Sequence, residues 1–181
     1  MPSPRPLLVL HRYRFGIPCE GYLLVEECPK AVPLASAVKS LAGKPAAERE
    51  RILGPWIDTI ARHLRTMHDR GMAHGDCKAA NVLVSRTHDD PALWKLFWID
   101  LVGASSARLL PKSKRDRDLS RLAVSFLHSK VIANRHRVRF LKAYLAFMPR
   151  IAGDWKTAWG EIASILHAKV AQNQRRNRPL G

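Results

Sequence analysis

The chain is 181 residues long, 46% apolar and 25% charged, proportions that suit one folded domain and exclude wholesale disorder or fibrous repeats. Its 31 Lys and Arg against 15 Asp and Glu leave a net charge of +16, a field that attracts anionic partners such as nucleic acid, phosphorylated lipid or nucleotide. Most of that charge is C-terminal: residues 111–181 hold 16 basic and 4 acidic side chains, whereas residues 1–110 hold 15 and 11.

In chain order, Leu7 to Leu10 is a short apolar run, and Gly21 to Val25 is a candidate strand ended by Glu26, Glu27 and Pro29. Leu34, Val38 and Leu41 have helical spacing, stopped by Gly43 and Pro45. From Glu48 to Arg70 the apolar positions Ile52, Trp56, Ile57, Ile60, Leu64 and Met67 follow the rhythm of an amphipathic helix. Pro55 lies inside that span and offers a start near its own position, and Gly71 suits the C′ site. The pattern then switches to two strands, Asn81 to Val84 and Trp94 to Ile99, a hairpin with a longish polar loop over 85–92. Beyond Pro111 helical spacing dominates, through Leu119, Leu122 and Phe126, then Val138, Leu141 and Leu145, then Trp155, Trp159, Ile162 and Leu166. Helices, a small hairpin and more helices predict an α+β domain of mainly helical character.

Cys19, Cys28 and Cys77 show neither metal-ligand nor disulfide spacing and fit free thiols in a reducing compartment. No run approaches the ~18 apolar residues that span a bilayer. The proline-rich start is no signal peptide, so the expected location is the cytoplasm.

The chemistry concentrates between the long helix and the hairpin, in His74-Gly75-Asp76-Cys77-Lys78-Ala79-Ala80-Asn81, followed at the end of the second strand by Asp100-Leu101-Val102-Gly103. H-x-D-x-K-x-x-N before a strand, with an Asp closing the next one, is the phosphoryl-transfer layout of protein-kinase-like folds. Four fixed positions arise by chance anywhere in a chain of this length about once in a thousand. Asp76 is the candidate general base for the attacking hydroxyl, and Lys78 the candidate cation for the transferring phosphate. Asn81 and Asp100 offer hard oxygens for Mg²⁺ bridging the ATP phosphates. His74 reads as a packing residue of the loop. Singly, each has a bland role: Asp76 a helix cap, Asn81 a turn residue, Lys78 a solvated charge.

HGDCKAANVLV, WKLFWIDLVGA, RDLSRLAVSF, RVRFLKAYL and the stretch from Trp155 to the C-terminus resemble the lipopolysaccharide kinase family, the Kdo and heptose kinases of the bacterial inner core, especially in planctomycete-type versions. The similarity runs from about Tyr22 to the end. It implies a kinase-like fold, ATP and Mg²⁺ as cofactors, and phosphate transfer to a sugar hydroxyl of lipopolysaccharide core or a similar anionic glycan. Two departures from regulated protein kinases stand out: Gly75 replaces their Arg, and Asp-Leu-Val-Gly replaces Asp-Phe-Gly. Residues 16–28 resemble the end of the N-terminal lobe and the hinge, where Glu26 and Cys28 would offer backbone groups to adenine. No G-x-G precedes them. The expected organisation is therefore a remnant of the N-terminal lobe over 1–28, a kinase-like C-terminal lobe over 29–170 and a basic tail over 171–181. A lone large lobe of this kind is expected to hold ATP weakly.

Three rival readings follow. One is another small-molecule kinase of the same fold, although aminoglycoside and choline kinases favour acidic acceptor pockets. A pseudokinase-like scaffold is the second. A nucleic-acid module is the third and is not expected, because the charge comes without a recognition motif. Asp118 resembles the helix aspartate that holds a catalytic-loop backbone, and a solvated charge is its plain alternative. Trp155 and Trp159, four apart, read as core packing rather than sugar stacking. Lys112 to Arg117 is either a solvated run or a seat for anionic glycan. Arg175, Arg176 and Arg178 could touch an anionic membrane surface, placing the protein peripherally at the inner membrane.

Overall fold

The computed structural model describes residues 2–146 and 155–175. In chain order they form β1 (Pro6–Arg14), β2 (Ile17–Val25), β3 (Ala31–Pro33), α1 (Leu34–Ser40), α2 (Ala46–Asp69), β4 (Met72–Ala73), β5 (Val82–Ser85), β6 (Lys95–Trp98), β7 (Ser105–Ser106), α3 (Lys112–Val124), α4 (Asn134–Ala146) and α5 (Trp155–Arg175). The α+β class anticipated from the sequence is the one found.

Helix α2 is the spine. Its apolar stripe buries Ile52, Leu53, Trp56, Ile60 and Leu64 to 5% exposure or less, in one core with Val82, Val84, Trp98, Leu119, Leu122 and Tyr144. Each such aliphatic side chain contributes about 1.5–3 kcal/mol. The helix does not begin near Pro55: it starts at Ala46 and runs through the proline. Pro55 faces solvent, as does Arg51 one turn earlier. The carbonyl that loses its N–H partner at this position therefore lies on the wet side, where water can replace the bond. At the other end Gly71 takes φ +74°, and a Cβ there would meet the Ala107 carbonyl oxygen at 2.0 Å. Only glycine fits this C′ position.

The expected hairpin is β5–β6, paired Val82 with Trp98 and Val84 with Leu96. Its loop is tied to α2, because Trp56 Nε1–H donates to the Pro91 carbonyl at 2.8 Å and Arg51 grips both oxygens of Asp90. Two small pairings carry no signal in the sequence. β3 adds a third strand beside β5. The two-residue pair β4–β7 closes the chain on itself between Gly71 and Ala107.

β1 and β2 extend well beyond the two apolar runs and meet at a two-residue turn, Phe15-Gly16, with both residues at positive φ. Every residue of both strands is exposed. The basic run at 112–117 forms the opening turns of α3, where Lys112 pairs with Asp116 and with Glu161 of α5. Trp159 lines an apolar cavity of about 150 Å³ between α2, α3, α4 and α5, and Lys142 Nζ sits 5.1 Å from the Trp155 ring centre. The expected membrane contact at Arg176 and Arg178 lies outside the described residues. Among the described residues, no helix is long and apolar enough to cross a membrane.

Candidate active site

The loop from His74 to Asn81 is fixed chiefly by helix α3. Asp118, fully buried, accepts the His74 N–H at 2.7 Å and the Gly75 N–H at 3.0 Å. At the C-cap of α3, Ser125 Oγ accepts the Ala79 N–H at 3.0 Å. Behind Asp118 lies His68 of α2, 3.2 Å away through Nε2, and His68 Nδ1 meets the Tyr144 hydroxyl of α4 at 2.7 Å. Burial pushes the Tyr144 phenol up to about 12, so it stays protonated. With the Tyr144 hydroxyl assigned as donor to Nδ1, His68 Nε2–H donates to Asp118. Three helices thus converge on one carboxylate that holds two backbone amides. The solvated alternative for Asp118 is excluded by its burial.

Gly75 has φ +80°, and a Cβ there would stand 2.1 Å from the Gly103 carbonyl oxygen. The absence of an arginine at this position has a steric cause: the two glycine segments touch backbone to backbone. His74 is fully buried and packs at 5.5 Å against Trp98, in keeping with a packing role. Burial drives the Cys77 thiol well above its ordinary pKa, so it is no nucleophile at neutral pH.

The structure brings together Asp76, Lys78, Asn81 and Asp100. Lys78 Nζ lies 2.9 Å from Asp76 Oδ2. Asn81 Nδ2 reaches Asp76 Oδ2 at 3.1 Å, the Asp76 carbonyl at 2.9 Å and Asp100 Oδ2 at 3.3 Å. Its amide nitrogen is thereby committed, and its Oδ1 makes no hydrogen bond among the described residues. Asp100 is exposed at the end of β6 in a left-handed conformation, φ 59° and ψ 57°, which turns the chain out of the strand. An oxygen of Asn81 and a carboxylate of Asp100 side by side suit Mg²⁺, which binds few protein oxygens and completes its shell with water and phosphate. No cluster of three or more His, Cys, Asp or Glu among the described residues offers a different metal site.

Burial works to raise the Asp76 pKa. The Lys78 hydrogen bond and charge, with Arg121 and Asn81, outweigh it and hold the carboxyl below its ordinary value. Arg121 is the residue that the sequence reading passed over. From α3 its guanidinium is hydrogen-bonded to Asp76 Oδ1. The signal was present as Asp118, Arg121 and Ser125, spaced i, i+3, i+7 on one helix face.

Glu26 and Cys28 lie apart from this cluster, on the connection between β2 and β3. The Glu26 N–H is spent on the Arg5 carbonyl at 2.8 Å, and the Cys28 carbonyl accepts from Ala31 at 3.3 Å. The Glu26 carbonyl and the Cys28 N–H make no hydrogen bond within the described residues.

Comparison with known proteins agrees with this architecture. No curated protein matches the sequence. Chains of solved structures match in 65 cases. One of them, "WaaP in complex with acyl carrier protein", is 20% identical and superposes with a TM-score of 0.72 over 94% of this chain and 69% of that one. A model of the lipopolysaccharide kinase (Kdo/WaaP) family matches residues 4–144. With a family match over most of its length and the same protein-kinase-like fold, the chain belongs to the lipopolysaccharide kinase (Kdo/WaaP) family and is a kinase.

Proposed function

We propose that this kinase transfers the γ-phosphoryl group of ATP to a sugar hydroxyl of lipopolysaccharide core or a similar anionic glycan. The observation that carries the reading is the Asp76 carboxylate, held beside Lys78, Asn81 and Asp100 by a loop that buried groups fix in place. In this reading Asp76 orients the acceptor hydroxyl and takes its proton as the new O–P bond forms and the bond to ADP breaks. A lowered pKa keeps Asp76 ionised at neutral pH, ready to accept. Lys78 turns from Asp76 to the transferring phosphate and neutralises charge that grows there. Asn81 Oδ1 and the Asp100 carboxylate would hold Mg²⁺, which supplies charge neutralisation across the β- and γ-phosphates. The unspent Glu26 carbonyl and Cys28 N–H, an acceptor and a donor, suit the edge of adenine.

The net charge of +16 favours an anionic acceptor over the cationic acceptors of aminoglycoside or choline kinases, and the basic tail suits the anionic inner face of a membrane. No recognition element for nucleic acid accompanies that charge. The test is an acceptor panel with radiolabelled ATP: lipopolysaccharide carrying only inner-core sugars, an aminoglycoside, choline and water. Label is expected on lipopolysaccharide, dependent on Mg²⁺ and lost in Asp100→Ala. Label on the aminoglycoside or choline alone contradicts the acceptor. Turnover that survives Asp100→Ala contradicts the metal assignment.

A further inference from the structure

The Asp76 carboxylate carries two cations, and they are not equivalent. Lys78 comes from the loop itself, its side chain is 40% exposed, and among the described residues it pairs with Asp76 alone. Arg121 comes from the helix behind the loop, its side chain is 24% exposed, and its Nε is buried with no hydrogen-bond partner among the described residues. They also take different oxygens: Lys78 holds Oδ2 and Arg121 holds Oδ1. The helical turn that carries Arg121 is itself locked to the loop. Its carbonyl accepts both the N–H and the hydroxyl of Ser125, and the same Ser125 Oγ accepts the Ala79 N–H.

We propose that Arg121 is a positioning residue for phosphotransfer: a fixed cation that keeps Asp76 aimed when Lys78 leaves for the phosphate. The inference rests on the roles given above to Asp76 and Lys78. A carboxylate served by Lys78 alone would lose its cation at the moment of reaction and be free to rotate, held only by the 3.1 Å contact from Asn81. Arg121 removes that freedom. It anchors Oδ1, so that departure of Lys78 uncovers Oδ2 alone, and the acceptor hydroxyl meets one presented oxygen rather than a turning group. The planar guanidinium suits the task better than an ammonium, because it fixes direction as well as charge. The same contact gives α3 a third grip on the loop, after the backbone amides held by Asp118 and the Ala79 N–H held by Ser125.

The test is a double-mutant cycle on turnover with radiolabelled ATP and inner-core lipopolysaccharide, using the full chain. Arg121→Met should lower kcat about 10- to 100-fold, with the KM for ATP within about twofold of wild type, as expected when a reacting group is misaimed rather than a substrate lost. Arg121→Lys should fall between the two, since it returns the charge without the fork. In an Asp76→Asn background, Arg121→Met should cost less than about twofold, because the carboxylate it steers is gone. Melting temperatures report folding, and if Arg121→Met does not fold, Arg121→Lys carries the cycle. A folded Arg121→Met enzyme with kcat within about threefold of wild type overturns the inference, as does full additivity with Asp76→Asn for whichever Arg121 variant folds. An Asp76→Asn enzyme that turns over like wild type, or a wild type that does not turn over at all, instead overturns the site assignment on which the inference rests.

Discussion

The loop from His74 to Asn81 and the β1–β2 hairpin differ in how they are held. His74, Gly75 and Ala79 of the loop donate hydrogen bonds to Asp118 of α3 and to Ser125 at its end, and the Asp118 carboxylate is met by His68 of α2, which Tyr144 of α4 meets in turn. The hairpin has its ladder, one terminal bond from Glu26 to Arg5 and a few exposed side-chain contacts, while Leu7 to Leu10 and Tyr22 to Val25 all face solvent. A two-stranded ribbon without a buried face is marginally stable. The contrast teaches that apolar sequence and β-propensity alone do not make a rigid element. Buried polar groups tie the loop to α3 and, through His68, to α2 and α4, and the hairpin has no such tie among the described residues.

The largest effect is expected of Asp118→Ala. It strands two backbone amides and His68 in a dry site and should cost about 3–5 kcal/mol, lowering the melting temperature by roughly 10 °C. A drop of about 2 °C or less would show that the loop does not depend on α3. Next comes a matched pair of truncations. Leu53→Ala in α2, where the side chain is 1% exposed, should cost about 3 kcal/mol in urea unfolding. Leu23→Ala in β2, where it is 61% exposed, should cost less than about 0.5 kcal/mol. Equal losses would mean that the hairpin is packed after all.

Tyr144→Phe, a single missing hydroxyl behind His68, should cost about 1 kcal/mol and slow turnover only slightly. The smallest effect concerns pH. Burial lowers the pKa of His63 from 6.5 to about 4, and its Nδ1 accepts the Trp98 indole N–H at 3.4 Å. The unfolded chain therefore binds the proton first. Stability from neutral His63 is complete above pH 6.5 and is lost as pH falls toward 4. His63→Asn should flatten the pH dependence of the melting temperature across that window, and an unchanged profile would assign the dependence elsewhere.

Much of this architecture was legible from periodicity. The stripe from Ile52 to Met67 predicted α2, and the short, largely apolar runs Asn81 to Val84 and Trp94 to Ile99 predicted β5 and β6. Pro55 misled about the start of α2 because an interior proline is disfavoured rather than forbidden, and the carbonyl that loses its partner here lies on the wet side. β3, β4 and β7 are two or three residues long, too short for any period to register. The extent of β1 and β2 was hidden by a turn made of Phe15-Gly16, which lacks the Asn or Asp that marks such turns. In the site, Asp76, Lys78, Asn81 and Asp100 were legible because their spacing is a local property of one loop and one strand end. Arg121 was not, because its meaning depends on which face of α3 meets the loop.

If the clamped loop is the reacting centre, Asp76 acts on the acceptor. Single-turnover phosphotransfer by Asp76→Asn, run beside a melting curve of the same sample, tests it most directly. The account predicts a rate at least about 100-fold below wild type, with a melting temperature within a few degrees, because the amide keeps the shape and loses the proton acceptor. A rate within about threefold of wild type in that folded variant would contradict it.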